Sequence, residues 1–213
     1  VDIDPGLTPG EMKLISEELV QRNLPLLEEG GDYWVLQRVS RGMNVVGGEL
    51  WESTGPTVIV ECSPLPLKAR ARLFHEGIDL LIPSIRRIPP ECLNPNVKSH
   101  NYLNLVLADL EVREQSDNAW AILLDTRGFL CEGIGSNVFL VSEGGLRTPR
   151  SQYVLAGVSR QTVIELAEEL GVTVIEDDLS HYDALNADEV FITSTSFCIC
   201  PVRNCNGRSI GAG

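Results

Sequence analysis

One lysine stands where its amine could react: Lys98, within Asn96-Val-Lys-Ser-His-Asn-Tyr102. Pro95 and Val97 favour an extended backbone up to Lys98, because the residue before a proline is pushed out of the α region. Asn101 belongs to the residue types that cap helices by accepting hydrogen bonds from the first free N–H groups. The sequence therefore predicts Lys98 at a strand-to-helix corner beside apolar packing. Desolvation there would lower the pKa of its ammonium and suit Schiff-base chemistry, although most lysines ahead of a helix are solvated.

A helix is predicted directly after this segment, ending near Gln115. Four apolar residues recur at the intervals of three and four that are typical of one helix face: Leu103, Val106, Leu107 and Leu110. They predict a helix that packs this face against the core.

A carboxylate stands in a similar setting in Cys131-Glu-Gly-Ile-Gly-Ser-Asn137, where Glu132 lies between an apolar strand and a glycine loop. Glycine has no side chain, so the backbone can come close to a ligand. Glu132 could therefore approach a flat ligand closely. The alternative is a glutamate exposed to water in a turn.

Two further segments could bind an anion. In Leu155-Ala-Gly-Val-Ser-Arg160, Gly157 frees the backbone ahead of a predicted helix. The amides of Val158 and Ser159 could then point at an anion along the helix dipole, unless Ser159 is only a helix cap. The hydroxyl groups of Thr193-Ser-Thr-Ser196 follow a predicted strand and could donate to phosphate or carboxylate, or could form an ordinary turn.

The composition limits the class of protein. The chain has 213 residues, an apolar share of 43% and a net charge of −13. This length and composition predict a folded chain of one large or two small domains. The acidic balance disfavours nucleic-acid binding, and no apolar run reaches the length of a membrane helix. Val1–Pro5 has no signal-peptide pattern, so a cytoplasmic protein is expected.

The six cysteines are irregularly spaced, which favours free thiols in a reducing compartment. Cys198, Cys200 and Cys205 form a cluster in the sequence that could bind a metal. This cluster lacks a paired CxxC motif and a nearby histidine, so no metal site is predicted.

A small domain is predicted over residues 1–62. Thr8-Pro-Gly-Glu11 has the pattern of a capping box, and the helix that it starts should end near Asn23. Its predicted buried face comprises Leu14, Ile15, Leu19 and Val20. A strand over Tyr33–Ser40, a long loop over Arg41–Pro56 and a strand over Thr57–Cys62 complete this domain.

A stiff linker is predicted over residues 63–67, followed by a larger domain over residues 68–213. That domain should begin with a helical stretch to Glu76 and a strand from Ile78 to about Ile85, after which Arg86 and Arg87 would be solvated. A meander of strands from Ala119 and a helix over Val158–Leu170 follow. The last elements are short strands over 172–176 and 189–193 and a hairpin over 198–210.

The order of these segments is more specific than any one of them. Lys-x-x-Asn-Tyr, Glu-Gly-x-Gly-Ser-Asn, Leu-x-Gly-Val-Ser-Arg and Thr-Ser-Thr-Ser follow one another, with Pro201 beyond. The combination resembles the class IV aminotransferases, the fold-type IV pyridoxal phosphate enzymes. These include branched-chain and D-amino-acid aminotransferases, R-selective amine transaminases and aminodeoxychorismate lyase. The resemblance covers essentially the whole chain and implies a two-domain α/β (α+β) fold, whose larger domain has mainly antiparallel strands with flanking helices.

The resemblance also implies roles for individual residues. Lys98 matches the lysine that binds pyridoxal 5′-phosphate as a Schiff base and moves the substrate proton. Glu132 matches the carboxylate that keeps the pyridine nitrogen protonated. The other implied cofactor contacts are Leu155 on the ring, Tyr102 near the ring hydroxyl, and Val158, Ser159 and Thr195 around the phosphate.

The implied substrate contacts are less uniform. The turn Ser194–Ser196 corresponds to backbone that receives a substrate carboxylate in branched-chain members. Val39–Gly42 resembles the D-amino-acid and amine members more closely, and Ile82–Pro90 resembles the amine members. Those members place an arginine shortly after Arg-Gly, whereas this chain has Asn44-Val-Val-Gly-Gly48. The apolar Val45, Val46 and Trp51 of this loop are therefore predicted substrate contacts.

The implied activity is transamination from an amino donor to a 2-oxo acid by a homodimer with bound pyridoxal 5′-phosphate. An aminodeoxychorismate-type lyase is the first alternative, and a metal-binding protein without catalytic activity is a remote one. Family members usually have more chain ahead of Val1, including an arginine that binds the phosphate, and a final segment after Gly213. Both ends are therefore expected to be trimmed, and no residue here matches that arginine.

Overall fold

A computed structural model of the chain describes residues 3–49 and 51–211. The chain divides into two compact units, Val1–Ala69 and Arg70–Gly213. In the described residues, no helix is both long enough and apolar enough to cross a membrane.

The first unit contains helix α1 (Pro9–Asn23) and two antiparallel strands, β1 (Tyr33–Ser40) and β2 (Thr57–Pro64). The predicted capping box is confirmed, since the backbone N–H of Thr8 donates to Glu11 Oε2 at 2.7 Å and that of Glu11 to Thr8 Oγ1 at 3.2 Å. The predicted buried face is partly wrong. Met12 is buried and Leu14 and Ile15 are exposed, because the two strands cover only a narrow stripe of the helix.

The long loop between β1 and β2 is closed at its base. An isolated bridge joins Asn44 to Ser53, and the N–H of Thr54 donates to the carbonyl of Met43 at 2.9 Å. A Cβ atom at Gly42 would lie only 1.6 Å from the carbonyl oxygen of Gly55, so the backbones cross too closely for any side chain there.

Only residues 65 and 66 of the predicted linker at 63–67 lie outside helices and strands. Strand β2 continues through Pro64, and the short helix α2 (Leu67–Arg70) begins three residues later. Along the chain, the division between the compact units falls between Ala69 and Arg70. The domain boundaries remain a prediction.

The second unit is built on one mixed sheet with the order β5-β4-β3-β10-β9-β6-β7-β8, in which β11 pairs with β10. Its strands are β3 (Ile78–Leu81), β4 (Ala119–Leu124), β5 (Leu130–Gly133), β6 (Asn137–Ser142), β7 (Gly145–Pro149), β8 (Val174–Asp177), β9 (Glu189–Ser194), β10 (Cys198–Cys205) and β11 (Arg208–Ser209). Antiparallel pairs predominate, and the parallel pairs are β3–β4, β3–β10 and β7–β8. The predicted α/β class with mainly antiparallel strands in the larger part is confirmed.

Helices cover this sheet, and the core lies on both of its faces. They are α3 (Leu73–Glu76), α4 (Leu103–Gln115), α5 (Val158–Glu169) and α6 (His181–Leu185). Strand β4 is buried on both faces, because Ala121 and Leu123 contact α4 while Ile122 and Leu124 join the opposite cluster.

The prediction for α4 is wrong in its cap and its buried face. Tyr102 occupies the N-cap without a side-chain hydrogen bond, so Asn101 does not cap the helix. Leu105, Ala108 and Val112 are buried against the sheet, whereas the predicted stripe Leu103, Val106, Leu107 and Leu110 is exposed. The buried face is the one next to the predicted stripe, and it carries Ala108, whose small side chain lets the helix lie close to β4. The larger side chains of the predicted stripe therefore do not identify the buried face.

Other differences are local. β3 ends at Leu81, ahead of Pro83, and the helical stretch before it consists of two short helices. α5 ends at Glu169, one residue before the predicted end, with Leu170 as its C-cap and Gly171 at a φ of +72°. Helix α6 was missed, although Ser180 and Asp183 form a capping box that marks its start.

Candidate active site

A cavity of about 350 Å³ opens in the second unit. It lies between the irregular segment before α4, the loop after β5, the segment before α5 and the end of β9. Eight predicted site residues line it: Lys98, Tyr102, Glu132, Leu155, Val158, Ser159, Ser194 and Thr195. Tertiary structure therefore brings together groups that are distant from one another in the sequence.

Lys98 reaches the cavity from an irregular segment and not from a strand end. The N–H of Val97 donates to the carbonyl of Asn94 at 3.0 Å, so the backbone turns here, contrary to the predicted extended run. Lys98 is exposed, contrary to the predicted position beside apolar packing. Its positive charge is nevertheless close enough to Glu132 to favour the ionised carboxylate.

Glu132 is a buried carboxylate with two donors. Only 6% of the residue is exposed. Its Oε1 accepts from Arg87 Nε at 2.9 Å, and its Oε2 accepts from the N–H of Leu155 at 2.9 Å. Burial raises the pKa of Glu132, while the Leu155 N–H, Arg87 and Lys98 act in the opposite direction. The alternative of a solvated turn glutamate is wrong.

Arg87 is the main residue of the site that the sequence did not indicate. A solvated strand end was predicted, but its side chain is only 11% exposed. The chain leaves β3 at Leu81 and crosses the end of β4, where the N–H of Arg87 donates to the carbonyl of Leu124 at 2.9 Å. The available signal was the pair Arg86-Arg87 between Ile85 and Ile88, since a cation that is buried in such an apolar run needs a buried anion.

We expect Arg87→Ala to lower the free energy of unfolding at pH 7 by ~3–5 kcal/mol, because it leaves the Glu132 carboxylate buried without its cation. Urea unfolding of the cofactor-free protein measures this loss. Removing Arg87 raises the pKa of Glu132 further. A carboxyl whose pKa is raised by folding contributes fully to the free energy of unfolding at low pH, and this contribution is lost as the pH rises through that pKa. The effect of the substitution should therefore shrink on acidification.

The neighbouring Arg86 is the matched control, since it is exposed and bonds only weakly to the carbonyl of Pro83, at 3.4 Å. Arg86→Ala should change the free energy of unfolding by less than ~0.5 kcal/mol. Equal losses in the two variants would show that the Arg87–Glu132 pair contributes nothing specific.

Helix α5 presents its first turn to the cavity. Gly157 is its N-cap and gives no side-chain hydrogen bond, so the alternative in which Ser159 caps the helix is wrong. The first N–H groups of a helix have no intrahelical acceptor, and the helix dipole adds positive potential there. Val158 and Ser159 line the cavity at this end, which suits an anion.

The turn after β9 contributes hydroxyl groups to the same cavity. Ser194 and Thr195 line it, whereas Ser196 lies beyond them with its hydroxyl 3.5 Å from that of Ser194. Thr193 also lines the cavity, and its buried Oγ1 has no hydrogen-bond partner among the described residues. The sequence predicted Thr193 as one hydroxyl of the Thr193–Ser196 segment but gave it no separate role, since its side-chain direction depends on the register of β9.

The remaining predicted substrate contacts belong to the other compact unit. Val45, Val46 and Trp51 belong to the first unit and are exposed, so their role stays a prediction. Cys200 and Cys205 are buried, and burial raises the pKa of each thiol to about 11. No group of three or more His, Cys, Asp or Glu side chains within residues 3–49 and 51–211 is arranged to hold a metal ion.

Comparison with known proteins identifies the family. Residues 16–205 match the family model described as amino-transferase class IV. A putative branched-chain-amino-acid aminotransferase of Methanocaldococcus jannaschii is 39% identical over 210 residues, which cover 98% of this chain and 69% of that protein.

Two crystal structures show the same fold. The branched-chain amino acid aminotransferase of Escherichia coli superimposes with a TM-score of 0.86 and 29% identity, over 99% of this chain and 68% of the other. The branched-chain amino acid aminotransferase of Thermobaculum terrenum in its PLP form gives a TM-score of 0.81 and 26% identity, over 99% and 67%. The chain spans about two thirds of the length of these three relatives. It belongs to the class IV aminotransferase family.

Proposed function

We propose that this protein is a pyridoxal 5′-phosphate-dependent transaminase that moves an amino group from an apolar amino acid or R-amine to a 2-oxo acid. One observation carries the proposal: a single cavity holds a lysine amine, a buried carboxylate and the first turn of a helix. The amine could react with the cofactor aldehyde, the carboxylate could bind the protonated ring nitrogen, and the helix start could bind the phosphate.

The residues present fit this cofactor. Each carboxylate oxygen of Glu132 accepts one hydrogen bond from the protein and can accept another, so it could also receive the ring N–H. At the other end, the unpaired hydroxyl of Thr193 and the free first turn of α5 provide a set of donors. When bound, the cofactor supplies an electron sink for the substrate α-carbon.

We assign the chain's own residues as follows. The Lys98 amine would hold the cofactor and move a proton to and from the substrate carbon. Glu132, held by Arg87 and the Leu155 N–H, would keep the ring nitrogen protonated. The remaining groups would bind and orient: Leu155 on the ring, Tyr102 near the ring hydroxyl, Val158, Ser159 and Thr195 on the phosphate, and Ser194, Thr195 and Ser196 on the substrate carboxylate.

The proposed donors are apolar. The relatives are named branched-chain aminotransferases. The loop Asn44–Gly48 offers no cation for a second carboxylate, and Val45 and Val46 are apolar. A charged trap would favour acidic donors by ~1.5–3 kcal/mol, whereas an apolar lining discriminates by size at ~1–3 kcal/mol per methylene.

We therefore expect a higher kcat/KM for branched or aromatic amino acids, or hydrophobic R-amines, than for aspartate or glutamate. The measurement is a donor panel with both enantiomers, scored with pyruvate and 2-oxoglutarate as acceptors. An advantage of about tenfold or more for either glutamate enantiomer would contradict the proposed specificity and reveal an unpaired cation near the substrate, since one charge-assisted contact has that value.

The same panel tests the lyase alternative. A lyase of the aminodeoxychorismate type would release pyruvate with no 2-oxo acid acceptor present. No observation among the described residues favours it, and the relatives named above are aminotransferases.

We further propose a homodimer in a reducing compartment such as the cytoplasm. The resemblance to the family supports the dimer, and the six free cysteines support the compartment. Sedimentation equilibrium of the purified protein tests the dimer.

A further inference from the structure

Side chains from two strands and one loop hold the segment that leads into α5. The N–H of Leu155 donates to Glu132, and its carbonyl accepts from Asn137 Nδ2 at 3.0 Å. The N–H of Ala156 donates to Asn96 Oδ1 at 3.1 Å. These backbone groups lie outside helices and strands, so side chains provide their hydrogen-bond partners.

Asn137 has the most constrained position among these side chains. It is the first residue of β6, is only 6% exposed and pairs in register with Thr193 of β9. While its Nδ2 binds the Leu155 carbonyl, its Oδ1 faces Gly157. A Cβ atom built on Gly157 would lie 2.2 Å from that oxygen, far inside van der Waals contact.

A glycine is therefore needed at position 157 because a side chain would collide with Asn137, and not because the backbone adopts a conformation that other residues avoid. Its φ of −67° and ψ of 136° are accessible to any L-residue. Only the Asn137 amide excludes a side chain, so the fit between the two residues fixes how closely the start of α5 approaches β6.

We infer that Asn137 is a positioning residue, which sets the first turn of α5 at a fixed distance from Glu132 through its contacts with Leu155 and Gly157. The two groups proposed to bind opposite ends of the cofactor, Glu132 and the Val158–Ser159 amides, are joined through this contact. The inference rests on the proposed function in one respect, since it takes the anion at α5 to be the cofactor phosphate.

The test compares Gly157→Ala, Asn137→Ala and the double variant. Dissociation constants are measured by fluorescence quenching for pyridoxal 5′-phosphate and for pyridoxal, which lacks the phosphate. Gly157→Ala should raise the dissociation constant of pyridoxal 5′-phosphate by about tenfold, because losing one charge-assisted hydrogen bond has an effect of that size. The dissociation constant of pyridoxal should change by less than about twofold. In the Asn137→Ala background the further loss should fall to about twofold, since the obstructing oxygen is gone.

Gly10 provides a matched control, because it lies in the first turn of α1 and a Cβ there would meet nothing closer than Thr8 Oγ1 at 3.9 Å. Gly10→Ala should leave both dissociation constants unchanged. Equal weakening of both ligands by Gly157→Ala, or the same loss with and without Asn137, would overturn the inference.

Failure of the proposed function is distinguishable from failure of this inference. Wild-type protein that binds both ligands equally and shows no visible absorption with pyridoxal 5′-phosphate would contradict the proposed function. The contact itself is then tested by thermal unfolding of the cofactor-free protein. Non-additive changes in Tm for Asn137→Ala and Gly157→Ala support it, and additive changes overturn it.

Discussion

Lys98→Ala should lose turnover by ~10²–10⁴-fold or more, because no other lysine among the described residues lines the cavity to hold the cofactor or move the substrate proton. The visible absorption of the lysine-bound cofactor should disappear, even if cofactor remains bound through its ring and phosphate. Absorbance and single-turnover kinetics on the purified variant measure both effects.

The chain offers a direct check, because it contains only three lysines: Lys13, Lys68 and Lys98. Lys13 pairs with Glu17 at 3.7 Å and Lys68 with Glu28 at 2.7 Å, whereas Lys98 forms no salt bridge with any residue in the described ranges. Borohydride reduction followed by peptide mapping should place the cofactor label on Lys98 alone. An unchanged absorption band in Lys98→Ala, or label on Lys13 or Lys68, would refute the assignment.

Glu132→Gln should retain the cofactor and reduce turnover by roughly ten- to a hundredfold. A neutral amide cannot keep the ring nitrogen protonated, and the lost charge-assisted contact is worth ~1.5–3 kcal/mol. The pH profile gives an independent test. Burial raises the pKa of Glu132, so the wild-type protein should lose activity on the acid side at a higher pH than an ordinary glutamate would predict. This dependence should be absent in Glu132→Gln.

Asp125 is the matched control, since it is another buried carboxylate paired with an arginine, at 2.8 Å from Arg127. It does not line the proposed cofactor cavity. Asp125→Asn should destabilise the fold and leave the turnover of the folded protein unchanged. If Glu132→Gln kept near wild-type turnover, Glu132 would be a structural partner of Arg87 and nothing more.

The strands and turns of the second unit were largely predictable because their signals are local. Thr126-Arg-Gly128 and Glu143-Gly-Gly145 are turn sequences between apolar runs, and they form the hairpins β4–β5 and β6–β7. The predicted meander from Ala119 is wrong beyond β5, because β6 pairs with β9 and not with β5. The capping box at Thr8 is equally local, since both of its hydrogen bonds join residues three positions apart. For the same reason, the order of the lysine, glutamate, glycine and hydroxyl segments was sufficient to indicate the family.

The buried helix faces could not be predicted. In α4, two stripes lie side by side at intervals of three and four, and the larger side chains of Leu103 and Leu107 are on the exposed one. Spacing identifies a stripe as apolar but does not say which stripe the sheet covers. The sheet covers the stripe of Leu105, Ala108 and Val112, on which the small side chain of Ala108 packs against β4.

By itself, the sequence indicated which residue types could carry the chemistry and the order of the segments that contain them. Tertiary structure alone decided their partners. Arg87 meets Glu132 across 45 residues because the segment after β3 crosses the ends of β4 and β5. Asn137 meets Gly157 because β6 lies beside the start of α5. Such pairs depend on strand order and register, which hydrogen bonds between distant segments fix and which no local pattern encodes.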